Sequence, residues 1–292
     1  MQKYVFDSGK PGPRLLFFGG VHGDEPSGSE AIEHVASELA RGSLALSRGS
    51  VTMVAHCNEK ARALGVRKVE KNLNRCFVDG AADDTYEHGV ARELMPLMRA
   101  ADVLVDLHST SGKSEPFAFA EGHGLPLAVA LRFSKVVVGW SEMAQSYGAM
   151  EGDSESYMRS LGKPAVTFEA GDHGSPDGAA NARQAILNAF ASYGVAPVPS
   201  LPIGRGPQRF VRMESSYVLK TPSWGYSLSP VVNFAEILAG TEIGRDGGER
   251  VLADRDCVLI MPSVKSITPG TQVYYLGRGF TPPDSSTAAL WV

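Results

Sequence analysis

Short apolar runs alternate with helix-length amphipathic segments through the first two thirds of this chain of 292 residues, and that alternation limits the fold more than any other feature. The run from Arg14 to Gly20 is short and ends in Gly-Gly, which reads as a buried strand. Pro26 stands where a helix begins, and apolar residues recur near helical spacing from Ser27 to Leu39. Val51 to Cys57 reads as a second strand. Tyr86 to Arg99 is an amphipathic helix, followed at once by a strand over Ala101 to Leu107. Ala165 to Glu169 and Asp177 to Ala191 give another strand and another helix. That rhythm predicts an α/β fold with a mainly parallel sheet covered by helices on both faces.

The pattern changes after Gly194 to Pro207, a Pro- and Gly-rich stretch that reads as a linker. Arg209 to Lys220, Glu236 to Ile243, Arg250 to Ile260 and Gln272 to Leu276 are short, β-rich and separated by turns. The expected organisation is therefore a catalytic-sized domain over 1–198 and a smaller all-β domain over 207–292. Hydrophobic residues make up 43% and charged residues 21%, ordinary globular usage. The net charge of -4 gives no broad electropositive surface for nucleic acid or anionic lipid. No run approaches the roughly 18 apolar residues of a membrane helix. Three widely spaced cysteines form neither a disulfide framework nor a zinc ribbon, and the first twenty residues lack the apolar stretch of a signal peptide. A cytoplasmic protein is expected.

Four segments carry residues suited to chemistry. Gly19 to Glu25, GGVHGDE, follows a strand and precedes a helix, where loops project into the ligand-binding crevice of an α/β sheet. His22 and Glu25 offer nitrogen and oxygen to a divalent ion, although H-x-x-E alone is common by chance. Val103 to Thr110, VLVDLHST, puts His108 at a second strand end, with Asp106 on the same strand face, placed to hydrogen-bond a ligand imidazole. Two histidines and a glutamate leave a fourth position open, the pattern of catalytic zinc. Val166 to Gly171, VTFEAG, ends a buried strand with Glu169, where a carboxylate is costly unless paired or functional. Such a group can serve as general base and then general acid. Arg67 to Arg75, RKVEKNLNR, offers guanidinium and amide donors for an anionic substrate end.

Together HGDE, NLNR, DLHST and RSLGKPAVTFEAG resemble the succinylglutamate desuccinylase/aspartoacylase family, with its zinc carboxypeptidase-like fold, and aspartoacylase-like members in particular. The resemblance implies a mainly parallel mixed sheet sandwiched by helices. It implies one zinc per chain, held by His22, Glu25 and His108. Glu169 would be the proton shuttle, and Arg67 would polarise the scissile carbonyl. Asn74, Arg75 and Arg159 would hold the substrate's carboxylates. The implied activity is zinc-dependent hydrolysis of an N-acyl amino acid or similar small carboxylated amide. It leaves a homo-oligomer open.

The chain also departs from that pattern. Aspartoacylases carry a substrate-binding Tyr a few residues before the last arginine. Here Tyr157 is out of register and Glu155 takes the matching position, which argues against a doubly acidic substrate. A further family tyrosine from the β-rich region has three candidates, Tyr226, Tyr274 and Tyr275. His173 is a candidate pocket residue, and Asp24 either supports the ligands or simply starts the helix. His34, His56, His88 and His123 read as ordinary, and Cys57 and Cys76 as small apolar fillers. GRG at Gly204 to Gly206 has no phosphate-loop context. A peptide-trimming carboxypeptidase could use the same ligands, and a metabolite binder could use the pocket without turnover.

Overall fold

The computed structural model describes residues 1–146, 152–203, 206–264 and 267–281. The chain opens with β1 (Tyr4–Asp7), β2 (Arg14–Gly19), α1 (Pro26–Ala40), β3 (Ser50–Val54) and α2 (Glu59–Leu64). A 3-10 turn at Leu73–Arg75 precedes α3 (Tyr86–Ala100), β4 (Val103–Thr110), β5 (Phe117–Phe119), α4 (Gly124–Ala130) and β6 (Lys135–Val138). Then come α5 (Trp140–Ser146), α6 (Ser154–Ser160), β7 (Ala165–Asp172) and α7 (Gly178–Tyr193). The remainder is β-rich: β8 (Arg209–Val218), β9 (Trp224–Tyr226), β10 (Glu236–Ile237), β11 (Glu242–Asp246), β12 (Glu249–Leu252), β13 (Cys257–Ile260) and β14 (Gln272–Phe280).

The central sheet runs in the order β1-β3-β2-β4-β7-β5-β6-β8-β14-β13-β10. Strands β3, β2, β4 and β7 are mutually parallel, as the alternation predicts. Strand β1 joins β3 antiparallel, and β5 joins β7 antiparallel, so the sheet is mixed. Both faces are apolar. Leu15 and Phe17 of β2 pack into a core formed with α1 and α7, while Leu16 and Phe18 pack on the other side against α3 and α6. Every residue of β4 is buried, as expected of a strand covered on both faces.

The sheet continues past the Pro- and Gly-rich stretch. Strand β8 pairs in parallel with β6, and β14, β13 and β10 extend it antiparallel. Strands β12, β11 and β9 form a separate small sheet. Two expected strands are broken in two. Glu236–Ile243 turns at Gly240, whose φ of 80° suits glycine, and Arg250–Ile260 is interrupted between β12 and β13. Gly204 and Arg205 lie outside the described residues, as do residues 282–292 of the expected β domain. No helix among the described residues is long and apolar enough to cross a membrane.

Candidate metal centre

Strands β2, β4 and β7 are parallel neighbours, so their C-terminal ends reach one edge of the sheet. His22 and Glu25 lie in the turn after β2, with Glu25 at the N-cap of α1. His108 lies near the end of β4, and Glu169 of β7 is its register partner. Alternation sets which way the groups on β4 and β7 point. Val103, Val105, Val166 and Phe168 face the α1/α7 core, which leaves Asp106, His108, Thr167 and Glu169 on the opposite face. The turn is tightly fitted: a Cβ on Gly23 would sit 2.2 Å from the Ala61 carbonyl carbon in α2.

All four groups are buried. His22 Nδ1 lies 2.9 Å from Glu25 Oε1, and His108 Nδ1 lies 2.9 Å from Glu25 Oε2. The two Nδ1 atoms are 3.1 Å apart. Donors held about 2.0–2.2 Å from a tetrahedral zinc are spaced by about 3.3 Å, so the triangle fits a small divalent ion. The outward nitrogens are also fixed. His22 Nε2 donates to Asn72 Oδ1 at 3.0 Å, and His108 Nε2 lies 3.1 Å from Asp106 Oδ2. Acceptors at Nε2 favour a proton there and turn the Nδ1 lone pair inward. Ser154 Oγ in turn donates to Asp106.

The electrostatics agree. Burial lowers the His22 pKa to about 4, with help from Arg67 and His108, so the ring is neutral at pH 7. Burial alone would raise Glu25, but the two imidazoles outweigh it and hold the carboxylate well below its usual range. Burial acts against a charged His108, yet Asp106 and Glu25 raise it well above an ordinary histidine. Glu169 is pushed up to about 8, first by burial and then by the charge of Glu25, and its Oε2 has no hydrogen-bond partner among the described residues. A carboxyl group poised near neutrality suits proton transfer.

A cavity of about 520 Å³ opens over these groups, and Arg67, Asn74 and Arg75 also line it. Arg67 Nη1 lies 2.7 Å from Glu25 Oε1. Asn74 Oδ1 accepts from the Ser154 amide at 2.9 Å, which leaves its Nδ2 donor available. The Arg75 guanidinium bonds the Asn74 carbonyl and lies 5.5 Å over the Trp140 ring, and burial lowers its pKa. Arg159 is placed differently. It meets Glu121 at 3.2 Å and Ser156 Oγ at 3.0 Å, and it lines a separate cleft. Glu155 stands in the cavity wall instead. Of the three candidate tyrosines, Tyr275 lines the cavity, whereas Tyr226 and Tyr274 pack in the core of the C-terminal region.

His173 lies outside the cavity lining, with Nδ1 2.9 Å from Ser109 Oγ. Ligand atoms of Asp24, Glu25 and His173 lie within 4.8 Å of one another, a second grouping that shares Glu25 with the first. His34, His56, His88 and His123 do not line the cavity, and all three cysteines are free and buried.

Sequence reasoning missed two positioning residues. Asn72 caps the 3-10 turn by accepting from the Asn74 amide at 3.0 Å, while the same oxygen orients His22. Glu87 of α3, fully buried, accepts from the backbone amides of Val69 at 2.7 Å, Glu70 at 3.2 Å and Lys71 at 3.0 Å. It thereby shapes the loop that carries Arg67, Asn74 and Arg75. The available signal was an acidic residue on the apolar side of an amphipathic helix.

The model of the succinylglutamate desuccinylase/aspartoacylase catalytic domain matches residues 11–192, more than half of the chain. A relative from Halomonas elongata, named N-alpha-acetyl-L-2,4-diaminobutyric acid deacetylase, is 30% identical over 198 residues, which is 63% of this chain and 56% of that protein. The chain spans about half the length of the curated relatives it matches. Two solved structures share its fold, each with a TM-score of 0.76 and 22% identity over 94% of this chain and 87% of the other. One is a succinylglutamate desuccinylase/aspartoacylase from Rhodobacter sphaeroides. The other is the product-bound ectoine utilization protein EutE (DoeB) from Ruegeria pomeroyi. On the match of the family model to most of its first 192 residues, the chain belongs to the succinylglutamate desuccinylase/aspartoacylase family.

Proposed function

We propose that this protein is a zinc-dependent deacylase that hydrolyses the amide of an N-acyl amino acid or a similar small carboxylated amide, with one zinc per chain. The observation that carries the reading is the buried triangle of His22, Glu25 and His108, with both imidazoles oriented from behind and Glu169 on the adjoining strand. The names of its relatives, a deacetylase and aspartoacylases, support the same reaction class. A zinc ion bound by the three ligands supplies a Lewis acid that acidifies water and polarises a carbonyl.

The chain's own groups supply the remaining work. Glu169 takes a proton from the attacking water and returns it to the leaving nitrogen, a role that suits a buried carboxyl group with an unpartnered oxygen. Arg67 sits beside Glu25 with its guanidinium in the cavity, where it stabilises negative charge developing on the scissile oxygen. Asn74 Nδ2 and Arg75 hold the substrate carboxylate and convert binding into alignment. Residues of the C-terminal region, Asn233, Met261, Gln272 and Tyr275, wall the same cavity. That wall favours a small substrate over the chain of a peptide, and Glu169 has no evident use in a protein that only binds.

Amine release over a panel of N-acetyl, N-succinyl and N-formyl amino acids, with and without a chelator, tests the proposal. Chelator-sensitive release from one acyl class is expected. Cleavage of long peptides with no release from any N-acyl amino acid would make the carboxypeptidase reading the better one.

A further inference from the structure

We infer that Glu155 reads the side chain of the substrate, and that the group it reads is an ammonium, a protonated amine a few bonds from the scissile amide. The inference rests on the deacylase reading above and refines its substrate class to N-acyl diamino acids.

Glu155 lies in the first turn of α6, is 6% exposed, and forms part of the cavity wall. Its carboxyl group is hydrogen-bonded to the Thr167 side chain on β7, but Oε1 has no partner among the described residues. A buried acceptor left unmatched is costly, and a ligand donor would remove that cost. The nearest arginine on the same helix does not meet the need, because Arg159 is held by Glu121 and Ser156. Asp153 adds negative charge nearby, while its own oxygens are used to cap α6 through the Ser156 amide at 2.7 Å and Ser156 Oγ at 2.7 Å. Burial, then Asp153 and Glu121, hold Glu155 well above the usual carboxylate range, with Arg159 acting against them, and a ligand cation beside it would favour the ionised form.

The cavity thus offers two opposite features. Arg75 is a guanidinium suited to the substrate's α-carboxylate, and Glu155 is an unmatched carboxyl group. A ligand that carries both a carboxylate and an ammonium satisfies them together. Thr167 precedes Glu169 by two positions on the same face of β7, about 7 Å along the strand. That span suits a short side chain of a few methylenes between the reacting amide and its terminal amine. Phe119, Trp140 and Tyr275, with ring centroids 5.3 Å and 5.7 Å apart in sequence, line the cavity and provide apolar surface for those methylenes. An acidic side chain would bring Glu155 no cation and would lie near the negative charge of Asp153 and Glu121.

The test is kcat/KM for amine release by the zinc-loaded protein. The substrates are Nα-acetyl-L-ornithine and Nα-acetyl-L-2,4-diaminobutyrate, the neutral chains of equal length N-acetyl-L-norleucine and N-acetyl-L-norvaline, and N-acetyl-L-aspartate. If another acyl group proves to be the one released, it replaces acetyl throughout. The amines should exceed their neutral counterparts by about 100-fold, the scale of a hydrogen bond to a charged group, with the aspartate derivative lowest. Glu155→Gln should bring the amine-to-neutral ratio close to one. That ratio is internal to one sample and does not depend on how much of the variant folds. Preference of the wild type for a neutral or acidic side chain, or a Glu155→Gln protein that keeps the amine preference, overturns the inference and leaves the deacylase reading standing. Absence of release from every N-acyl amino acid overturns both.

Discussion

Asn72 and Asp106 decide which nitrogen each histidine turns toward Glu25. His22, Glu25, His108 and Glu169 were legible in the sequence because each falls at or beside the end of an apolar strand, where side chains of a parallel sheet converge. Asn72 was not legible, because its contact with His22 forms only when a loop folds back across the first βα turn. Arg159 keeps the expected spacing from Glu169, and its guanidinium meets Glu121, a residue distant in sequence. Glu169→Gln should lower kcat by about 10²–10⁴-fold, the usual contribution of general acid–base catalysis, while elemental analysis still finds a full complement of zinc. A variant with near-normal kcat would remove Glu169 from proton transfer.

At the level of elements, the amphipathic helices and apolar strands were readable from periodicity, and α1, α3, β4 and β7 match their expected spans within a few residues. The short elements were not. Strands β5 and β6 and helices α4 to α6 span only three to seven residues each and hold their places through neighbours rather than local pattern. The Arg67 to Arg75 loop is another such case, since Glu87 of α3 gathers its amides. Glu87→Ala removes the hydrogen bonds to these part-buried loop amides, at a cost of about 0.5–3 kcal/mol. Denaturant unfolding should register that loss, and KM should rise as Asn74 and Arg75 lose their setting. Unchanged stability and KM would show that the loop is held elsewhere. In the C-terminal region, hydrogen bonds from Thr221, Lys220 and Tyr217 lower the Asp246 pKa to about 2. An unfolded aspartate titrates near 3.9, so this stabilisation is complete above about pH 4 and is lost as the pH falls toward 2. Asp246→Asn should flatten that part of the stability–pH curve. An unaltered acid limb would assign the loss to other carboxylates.

Across the whole molecule, the C-terminal region both extends the central sheet through β8 and closes one wall of the cavity. The composition shift after Gly194 marked where this region begins. It gave no sign that β8 would join β6, because strand pairing between distant segments leaves little trace in local pattern. One consequence concerns the metal. A ligand bound to the folded chain alone stabilises it by about 4 kcal/mol at a thousandfold excess over Kd. Chelation should therefore lower the melting temperature as well as abolish amine release, and added zinc should restore both. Loss of activity with no thermal shift would place the sensitive metal outside the buried triangle.

The central claim is that His22, Glu25 and His108 hold the one zinc on which hydrolysis depends. Elemental analysis of purified wild type and His108→Ala, read beside amine release from the same samples, tests it most directly. The account predicts about one zinc per wild-type chain, a substoichiometric zinc content in a folded His108→Ala protein, and no amine release from that variant. A His108→Ala protein that keeps stoichiometric zinc and full amidase activity would contradict it.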